Sequence, residues 1–183
     1  TMGKKINSKK IGLIIYARMS SKRLPGKVLK KFHKNQNTIE IILANLSKVN
    51  YKKNVIVATT KCSSDKKIVN FCRNKKIKFF TGSNKNVFLR TQECIKKFNI
   101  RYLVRICADR PLFDVSLMVS MIKLILKNNY DIITNVYPRT YPKGLTCEVA
   151  KSKIFTQINQ KILTQKQKEH IFNYFYKSKR YKI

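Results

Sequence analysis

Three cationic side chains follow an apolar run, residues 11–17, within one short segment: Arg18, Arg23 and Lys27. The same segment contains the small residues Ser20, Ser21 and Gly26. An Arg guanidinium offers forked donors and a Lys ammonium a mobile point charge, and both suit phosphate oxygens. Small side chains leave room for backbone N–H groups to turn toward the same oxygens. These residues are typical of a polyphosphate site, and the alternative interpretation is a basic surface turn.

Residues 17–27 (ARMSSKRLPGK) are not part of a Walker phosphate loop, because Ser21 and Val28 stand where that motif requires Gly and Ser or Thr. The segment instead resembles the opening signature of the sugar-nucleotide cytidylyltransferases. It is most similar to the group named after spore coat polysaccharide biosynthesis protein F, which is related to the acylneuraminate and 3-deoxy-manno-octulosonate cytidylyltransferases. Five further segments resemble landmarks of that family in the same order: residues 55–60 (VIVATT), 81–90 (TGSNKNVFLR), 104–112 (VRICADRPL), 141–148 (YPKGLTCE) and 168–171 (KEHI).

The resemblance implies a fold and an activity. It implies one cytidylyltransferase-like nucleotide-binding domain over residues 1–183, of the nucleotide-diphospho-sugar transferase type and lacking the family's C-terminal segment. The implied reaction transfers CMP from CTP to a sugar for cell-surface polysaccharide biosynthesis and releases pyrophosphate. Mg²⁺ is the implied cofactor, and CTP and a sugar acceptor are the implied partners.

The resemblance also implies the site residues. Arg18, Lys27 and Asp109 are the candidate catalytic residues, and Asp109 is the candidate Mg²⁺ ligand. The implied nucleotide-binding set is Ala17, Arg18, Arg23, Lys27, Thr59, Gly82 and Arg90. The implied sugar-binding set is Arg105, Arg139, Lys143, Glu148 and His170. Two alternatives stay open: Asp109 as a helix N-cap, and structural ion pairing for Glu148 and for the neighbours Glu169 and His170.

Two residues depart from the family pattern. Thr146 stands where the family has Asp, and Arg110 stands where it has a small residue or Cys. The loss of one carboxylate and the gain of one cation favour, as the alternative function, a non-catalytic nucleotide-binding relative with a degenerate metal site.

The chain is strongly basic, with 41 Lys and Arg residues against 8 Asp and Glu and a formal net charge of +33. Such a charge can indicate a nucleic-acid-binding protein, which is the weaker alternative. The cations are spread along the whole chain without a basic stripe interleaved with aromatic residues, so we expect only non-specific nucleic-acid binding. No apolar run is long enough for a membrane span, and 5 Cys without a CxxC pair are typical of a reduced, cytoplasmic protein.

Short apolar runs alternate with longer amphipathic segments. The apolar runs predict strands at residues 11–17, 55–58, 77–80, 102–107 and 131–135. The helical spacing of apolar residues predicts helices at 38–48, 65–74, 87–98, 114–128 and 166–177. This order predicts an α/β fold, a three-layer Rossmann-like architecture with a mostly parallel sheet. Ligands of such sheets bind at the carboxyl ends of the strands, where Ala17, Thr59, Gly82 and Asp109 fall.

Three further expectations concern the rest of the chain. Residues 137–148, with two Pro and one Gly, predict a connection into an antiparallel excursion. The aromatic cluster at the C-terminal end of the 166–177 helix is interpreted as core or as the interface of a possible homodimer. Three of the scarce carboxylates, Glu40, Asp65 and Glu93, are expected to form surface pairs.

Overall fold

The computed structural model describes residues 10–21, 24–32, 34–49 and 51–183. One sheet of six strands runs through the centre of the protein, in the spatial order β3-β2-β1-β4-β6-β5. The strands are β1 Ile11–Tyr16, β2 Val55–Thr60, β3 Lys78–Gly82, β4 Tyr102–Cys107, β5 Ile132–Thr134 and β6 Glu148–Lys151. Strands β1 to β4 are parallel, whereas β6 runs antiparallel to both β4 and β5.

The central strands are buried on both faces. Strand β2 is buried along its whole length, and β1 is buried up to its last residue. Continuously apolar sequence suits this position, because helices cover both faces of a mostly parallel sheet. Leu13 and Val104 face one layer of helices, whereas Ile14 and Leu103 face the other.

Seven helices in the described residues form the two outer layers. They are α1 Thr38–Leu46, α2 Lys66–Asn74, α3 Val87–Phe98, α4 Val115–Lys127, α5 Lys153–Thr156, α6 Gln165–Glu169 and α7 Asn173–Tyr176. Buried residues of α1, α2 and α4 pack on one face of the sheet, and those of α3, α5 and α7 pack on the other. This arrangement confirms the predicted three-layer, Rossmann-like α/β fold. None of these helices has both the length and the apolar character needed to cross a bilayer.

The predicted terminal helix over residues 166–177 is wrong. The backbone leaves the helical conformation at His170 (φ −105°, ψ 84°), which ends α6, and α7 begins three residues later. The break lets Phe172 and Phe175 reach the core, where they pack edge-on against Phe155. Two short helices replace the one straight helix that the spacing suggested, and the buried Phe172 and Phe175 assign the aromatic cluster to the core.

Candidate active site

A cleft of about 920 Å³ opens at the carboxyl ends of β1 and β4. Its described lining is dominated by cations: Arg18, Lys27, Lys85, Arg90, Arg105 and Arg110. Only two carboxylates, Asp109 and Glu169, belong to the same lining. The cleft is therefore electropositive and suits a ligand with several negative charges.

The loop after β1 forms one wall of the cleft. Its backbone folds around Met19, whose carbonyl accepts hydrogen bonds from the N–H groups of Ser21 (3.0 Å) and Gly26 (2.8 Å). Gly26 has φ +73°, a left-handed conformation that glycine adopts without steric cost. Farther along, the Thr38 hydroxyl at the start of α1 donates to the Val28 carbonyl at 3.2 Å. These bonds hold Lys27 at the edge of the cleft.

Asp65 fastens this loop to the neighbouring strand, and its predicted place in a surface pair is wrong. The residue is 1% exposed and follows β2 in a short 3₁₀ turn, Ser63–Asp65. One carboxylate oxygen accepts the Met19 N–H at 2.7 Å, and the other accepts the Thr60 hydroxyl. One of the other two carboxylates expected in surface pairs, Glu40, does form one: its Oε1 lies 3.1 Å from Lys75 Nζ.

Lys27 and Asp109 face each other across the cleft. The Lys27 ammonium donates to Asp109 Oδ2 at 2.7 Å, and both side chains are partly exposed. Partial burial acts to raise the pKa of Asp109, but the hydrogen bond and charge of Lys27, together with Arg110, hold it below its usual value. Asp109 does not cap a helix, because α4 begins at Val115 and its cap is Asp114.

Arg90, on α3, lies deep in the cleft wall and is only 3% exposed. Its Nη1 donates to the Ser83 carbonyl at 3.1 Å, while its Nε has no hydrogen-bond partner among the described residues. Burial lowers the pKa of Arg90, yet an Arg side chain stays charged in proteins. A buried donor without a partner is costly, so a ligand oxygen at this position would relieve that cost.

Gly82 and Thr59 lie at the ends of β3 and β2 and do not line the cleft. Gly82 packs closely against Arg90 and leaves room for its side chain, because a Cβ at residue 82 would approach Arg90 Cγ to 2.8 Å. The Thr59 hydroxyl is buried and has no partner among the described residues. Neither residue is part of the cleft surface, and of the two, Gly82 contacts a residue of its wall.

Behind the cleft, Arg105 and Glu148 form an ion pair between adjacent strands, β4 and β6. Glu148 is 4% exposed, and its second oxygen accepts the Tyr176 hydroxyl at 2.5 Å. Burial acts to lower the pKa of Arg105, but the carboxylate of Glu148 outweighs it and raises that pKa. Arg105 reaches the lining of the cleft, whereas Glu148 stays behind it and holds Arg105 in place.

The two departures from the family pattern contact each other. The Arg110 guanidinium donates to the Thr146 hydroxyl, and Arg110 also lines the cleft. Threonine thus supplies a neutral acceptor that orients this cation without neutralising its charge. Arg110 remains available to an anionic ligand.

Some of the remaining candidate residues line the cleft and others do not. Arg18 lines the cleft, and its Nη2 lies 3.8 Å from Glu169 Oε1. The exposed His170 also lines the cleft. Arg139 and Lys143 are exposed on the connection between β5 and β6 and do not line the cleft. Arg23 lies outside the described residues. The structure therefore places Ala17, Arg18, Lys27, Arg90, Arg105, Asp109 and His170 at one cleft.

Sequence reasoning missed two features of this site. Lys85, on the turn between β3 and α3, adds a cation at the rim of the cleft. Tyr16 also lines the cleft, and its hydroxyl lies 2.8 Å from Thr91 Oγ1. The signal for Tyr16 was present in the sequence, since it is the last residue of β1 and precedes the cationic segment.

The cleft offers one suitable ligand for a hard cation such as Mg²⁺, the carboxylate of Asp109. Asp109 offers one ionised carboxylate in the cleft, and Mg²⁺ prefers such oxygens together with phosphate oxygens and water. Among the described residues, no group of three or more His, Cys, Asp or Glu side chains could hold a metal by itself. A Mg²⁺ ion at Asp109 would therefore arrive with the nucleotide.

Comparisons with known proteins agree with this geometry. A sequence profile of the family described as Cytidylyltransferase matches residues 13–179. The chain is 33% identical over 165 residues to the uncharacterized protein MJ1063 of Methanocaldococcus jannaschii, covering 90% of this chain and 66% of that protein. It is 27% identical over 165 residues to the spore coat polysaccharide biosynthesis protein SpsF of Bacillus subtilis, covering 88% and 68%.

A solved structure of a cytidylyltransferase from Leptospira borgpetersenii serovar Hardjo-bovis has the same fold. It superimposes with a TM-score of 0.85 at 29% identity, over 91% of this chain and 71% of that one. This similarity confirms the nucleotide-diphospho-sugar transferase type of fold. The chain spans about two thirds of the length of the curated relatives that it matches.

Proposed function

The chain belongs to the cytidylyltransferase family, and from this premise we propose that the protein transfers CMP from CTP to a sugar and releases pyrophosphate. One observation carries the proposal. Among the described residues, six cations and two carboxylates line a single cleft at the carboxyl ends of β1 and β4, and this is the edge of a Rossmann-like sheet at which ligands bind.

The cations on the loop after β1 suit the triphosphate. Lys27 is held at the edge of the cleft by the bonds around Met19, and Arg18 lines the cleft two residues after the end of β1. In nucleotidyl transfer, a bond forms between a sugar oxygen and the α-phosphorus, and the bond from that phosphorus to pyrophosphate breaks. Fixed cations lower this barrier by stabilising the charge on the departing pyrophosphate. We assign this task to Arg18 and Lys27, with Arg23 as a further candidate.

The deeper wall suits the nucleoside. Arg90 carries an unpartnered, buried Nε, and Ala17 lines the cleft beside it. We propose that these residues contact the cytosine and ribose, with Gly82 and Thr59 shaping the wall behind them. Three further lining residues, Arg105, Arg110 and His170, are left for the acceptor.

The acceptor and the biological role are the finer part of the proposal. We assign Arg105 and His170 to the sugar, while Glu148 orients Arg105. Arg139 and Lys143 remain candidates because they lie on the connection before β6. The similarity to the SpsF protein supports a role in cell-surface polysaccharide biosynthesis. We further propose a cytoplasmic location and a possible homodimer.

Mg²⁺ is proposed as the cofactor, with Asp109 as its protein ligand, and when bound it would neutralise charge on the triphosphate. Asp109→Asn should abolish the tightening of CTP binding by Mg²⁺, because an amide is a far weaker ligand for this ion than a carboxylate. Without Mg²⁺, the variant should bind CTP at least as well as the wild type, since Lys27 loses its anionic partner. Titrations of CTP with and without Mg²⁺ measure both effects.

Asp131→Asn is the matched control, because Asp131 also pairs with a Lys, Lys151, but at the opposite end of the sheet. It should leave the Mg²⁺ effect intact. Undiminished Mg²⁺ tightening in Asp109→Asn would exclude Asp109 as the ligand.

Release of pyrophosphate tests the reaction itself. The protein is incubated with CTP, UTP or ATP, Mg²⁺, and a panel of acidic and amino sugars. The proposal expects release that requires both CTP and one class of sugar. Tight CTP binding without release for any sugar would favour the alternative, a non-catalytic nucleotide-binding relative. The contact between Arg110 and Thr146 is the observation behind this alternative, since it sets an added cation against the threonine that stands where the family pattern has a carboxylate.

A further inference from the structure

Asp65 lies at a helix start but does not cap the helix. It occupies the N-cap position of α2, yet its side chain makes no hydrogen bond to that helix. An Asp at this position usually accepts an N–H of the first turn and stabilises the helix. Here the carboxylate turns to the other side and accepts the Met19 N–H and the Thr60 hydroxyl.

These contacts are part of a longer chain of hydrogen bonds. The Thr60 hydroxyl accepts the Cys62 N–H at 3.1 Å while it donates to Asp65, so the carboxylate is tied to the end of β2. On its other side, the Met19 backbone connects Asp65 to Gly26: its N–H donates to Asp65, and its carbonyl accepts the Gly26 N–H. Lys27 is the next residue. The carboxylate therefore fixes the loop that presents Lys27, although it lies outside the lining of the cleft.

Asp65 also acts on the deep wall of the cleft. Burial lowers the pKa of Arg90, and the negative charge of Asp65 is one of the charges that counter this effect. One buried carboxylate thus serves two parts of the proposed nucleotide site, the loop after β1 and Arg90 on α3.

We infer that Asp65 is a positioning residue for the triphosphate: it holds the Met19 backbone so that the loop after β1 presents Lys27 to the phosphates. The inference rests on the proposed function. A residue that only stabilises the fold would leave affinity unchanged at temperatures well below the unfolding transition. A positioning residue alters the affinity for the triphosphate more than that for a nucleotide with one phosphate.

Affinities for CTP and CMP in Asp65→Ala, Asp65→Asn and the control Asp131→Asn separate these roles. Asp65→Ala should weaken CTP binding at least about tenfold, the factor that corresponds to one hydrogen bond to a charged group. CMP binding should weaken by a smaller factor. Asp65→Asn keeps one oxygen for the Met19 N–H and should give an intermediate loss with the same preference. Asp131→Asn, which replaces an acceptor of the Lys182 N–H, should behave as the wild type.

Unchanged CTP affinity in Asp65→Ala, or equal losses for CTP and CMP, would overturn the inference. Should Asp65→Ala fail to fold, the near-isosteric Asp65→Asn carries the same test. Amide hydrogen exchange without ligand gives an independent readout: Asp65→Ala should accelerate exchange at Met19 and Gly26. If the wild type does not bind CTP, the proposed function fails and the role of Asp65 toward the triphosphate fails with it. If the wild type binds CTP, unaltered exchange at both amides in Asp65→Ala would also overturn the inference, because Asp65 would then not hold the loop.

Discussion

Glu148→Ala should lower the free energy of unfolding by about 3–5 kcal/mol, the usual cost of removing one partner from a buried ion pair. The substitution leaves the Arg105 guanidinium largely buried without its carboxylate, and it removes the acceptor of the Tyr176 hydroxyl. Denaturant unfolding of the two proteins measures the difference. The same substitution at an exposed ion pair, Glu169→Ala, is the control and should cost no more than about 1 kcal/mol.

Tyr176→Phe separates the two contacts of Glu148. It removes the hydrogen bond of the Tyr176 hydroxyl to the charged Glu148, together with its weaker contact with Thr134 Oγ1 at 3.1 Å, and leaves the Arg105–Glu148 pair intact. A loss of about 1.5–3 kcal/mol is expected, the range for a hydrogen bond to a charged group. A loss below about 1 kcal/mol in Glu148→Ala would contradict the structural role of this network. Glu148 would then be free to contact the acceptor directly.

Lys27→Ala should weaken CTP binding by about 1.5–3 kcal/mol, the range for hydrogen bonds to charged groups. The variant loses one cation of the triphosphate site and also exposes the carboxylate of Asp109 to the phosphates, because the 2.7 Å ion pair is gone. The loss should therefore be larger without Mg²⁺ than with it. Calorimetric titration in both conditions measures the two values.

Lys151→Ala is the matched control, since Lys151 pairs with Asp131 at the amino end of β4, away from the cleft. It removes the same charge from the protein and should leave CTP affinity unchanged. Equal losses in the two variants would mean that CTP responds to net charge and not to Lys27.

The sequence predicted the parts of this site that lie at strand ends. Arg18 and Lys27 follow one apolar run and Asp109 follows another, and parallel strands bring such residues to one edge of the sheet. The resemblance added Arg90, whose helical position gave no sign by itself that the side chain would reach the cleft.

The role of Asp65 could not be predicted in the same way. Its partner, Met19, is 46 residues away in the chain and offers only a backbone N–H, so no side-chain pattern records the contact. A Ser-Ser-Asp sequence before a helix indicates capping, and here the tertiary contact overrides that local preference. The prediction of one terminal helix was wrong for a related reason: Phe172 and Phe175 are buried in the core, and the local spacing of residues does not record the break at His170 that precedes them.

Titration with CTP, UTP, ATP and an oligonucleotide, at physiological salt and with Mg²⁺, tests the central claim most directly. We expect CTP to bind at one saturable site, more tightly than UTP or ATP. The oligonucleotide should bind weakly and lose affinity steeply with salt, because a charge of +33 spread over the chain attracts phosphates without sequence selectivity. Tight oligonucleotide binding at physiological salt, with no preference for CTP among the nucleotides, would contradict a cytidylyltransferase site in this cleft.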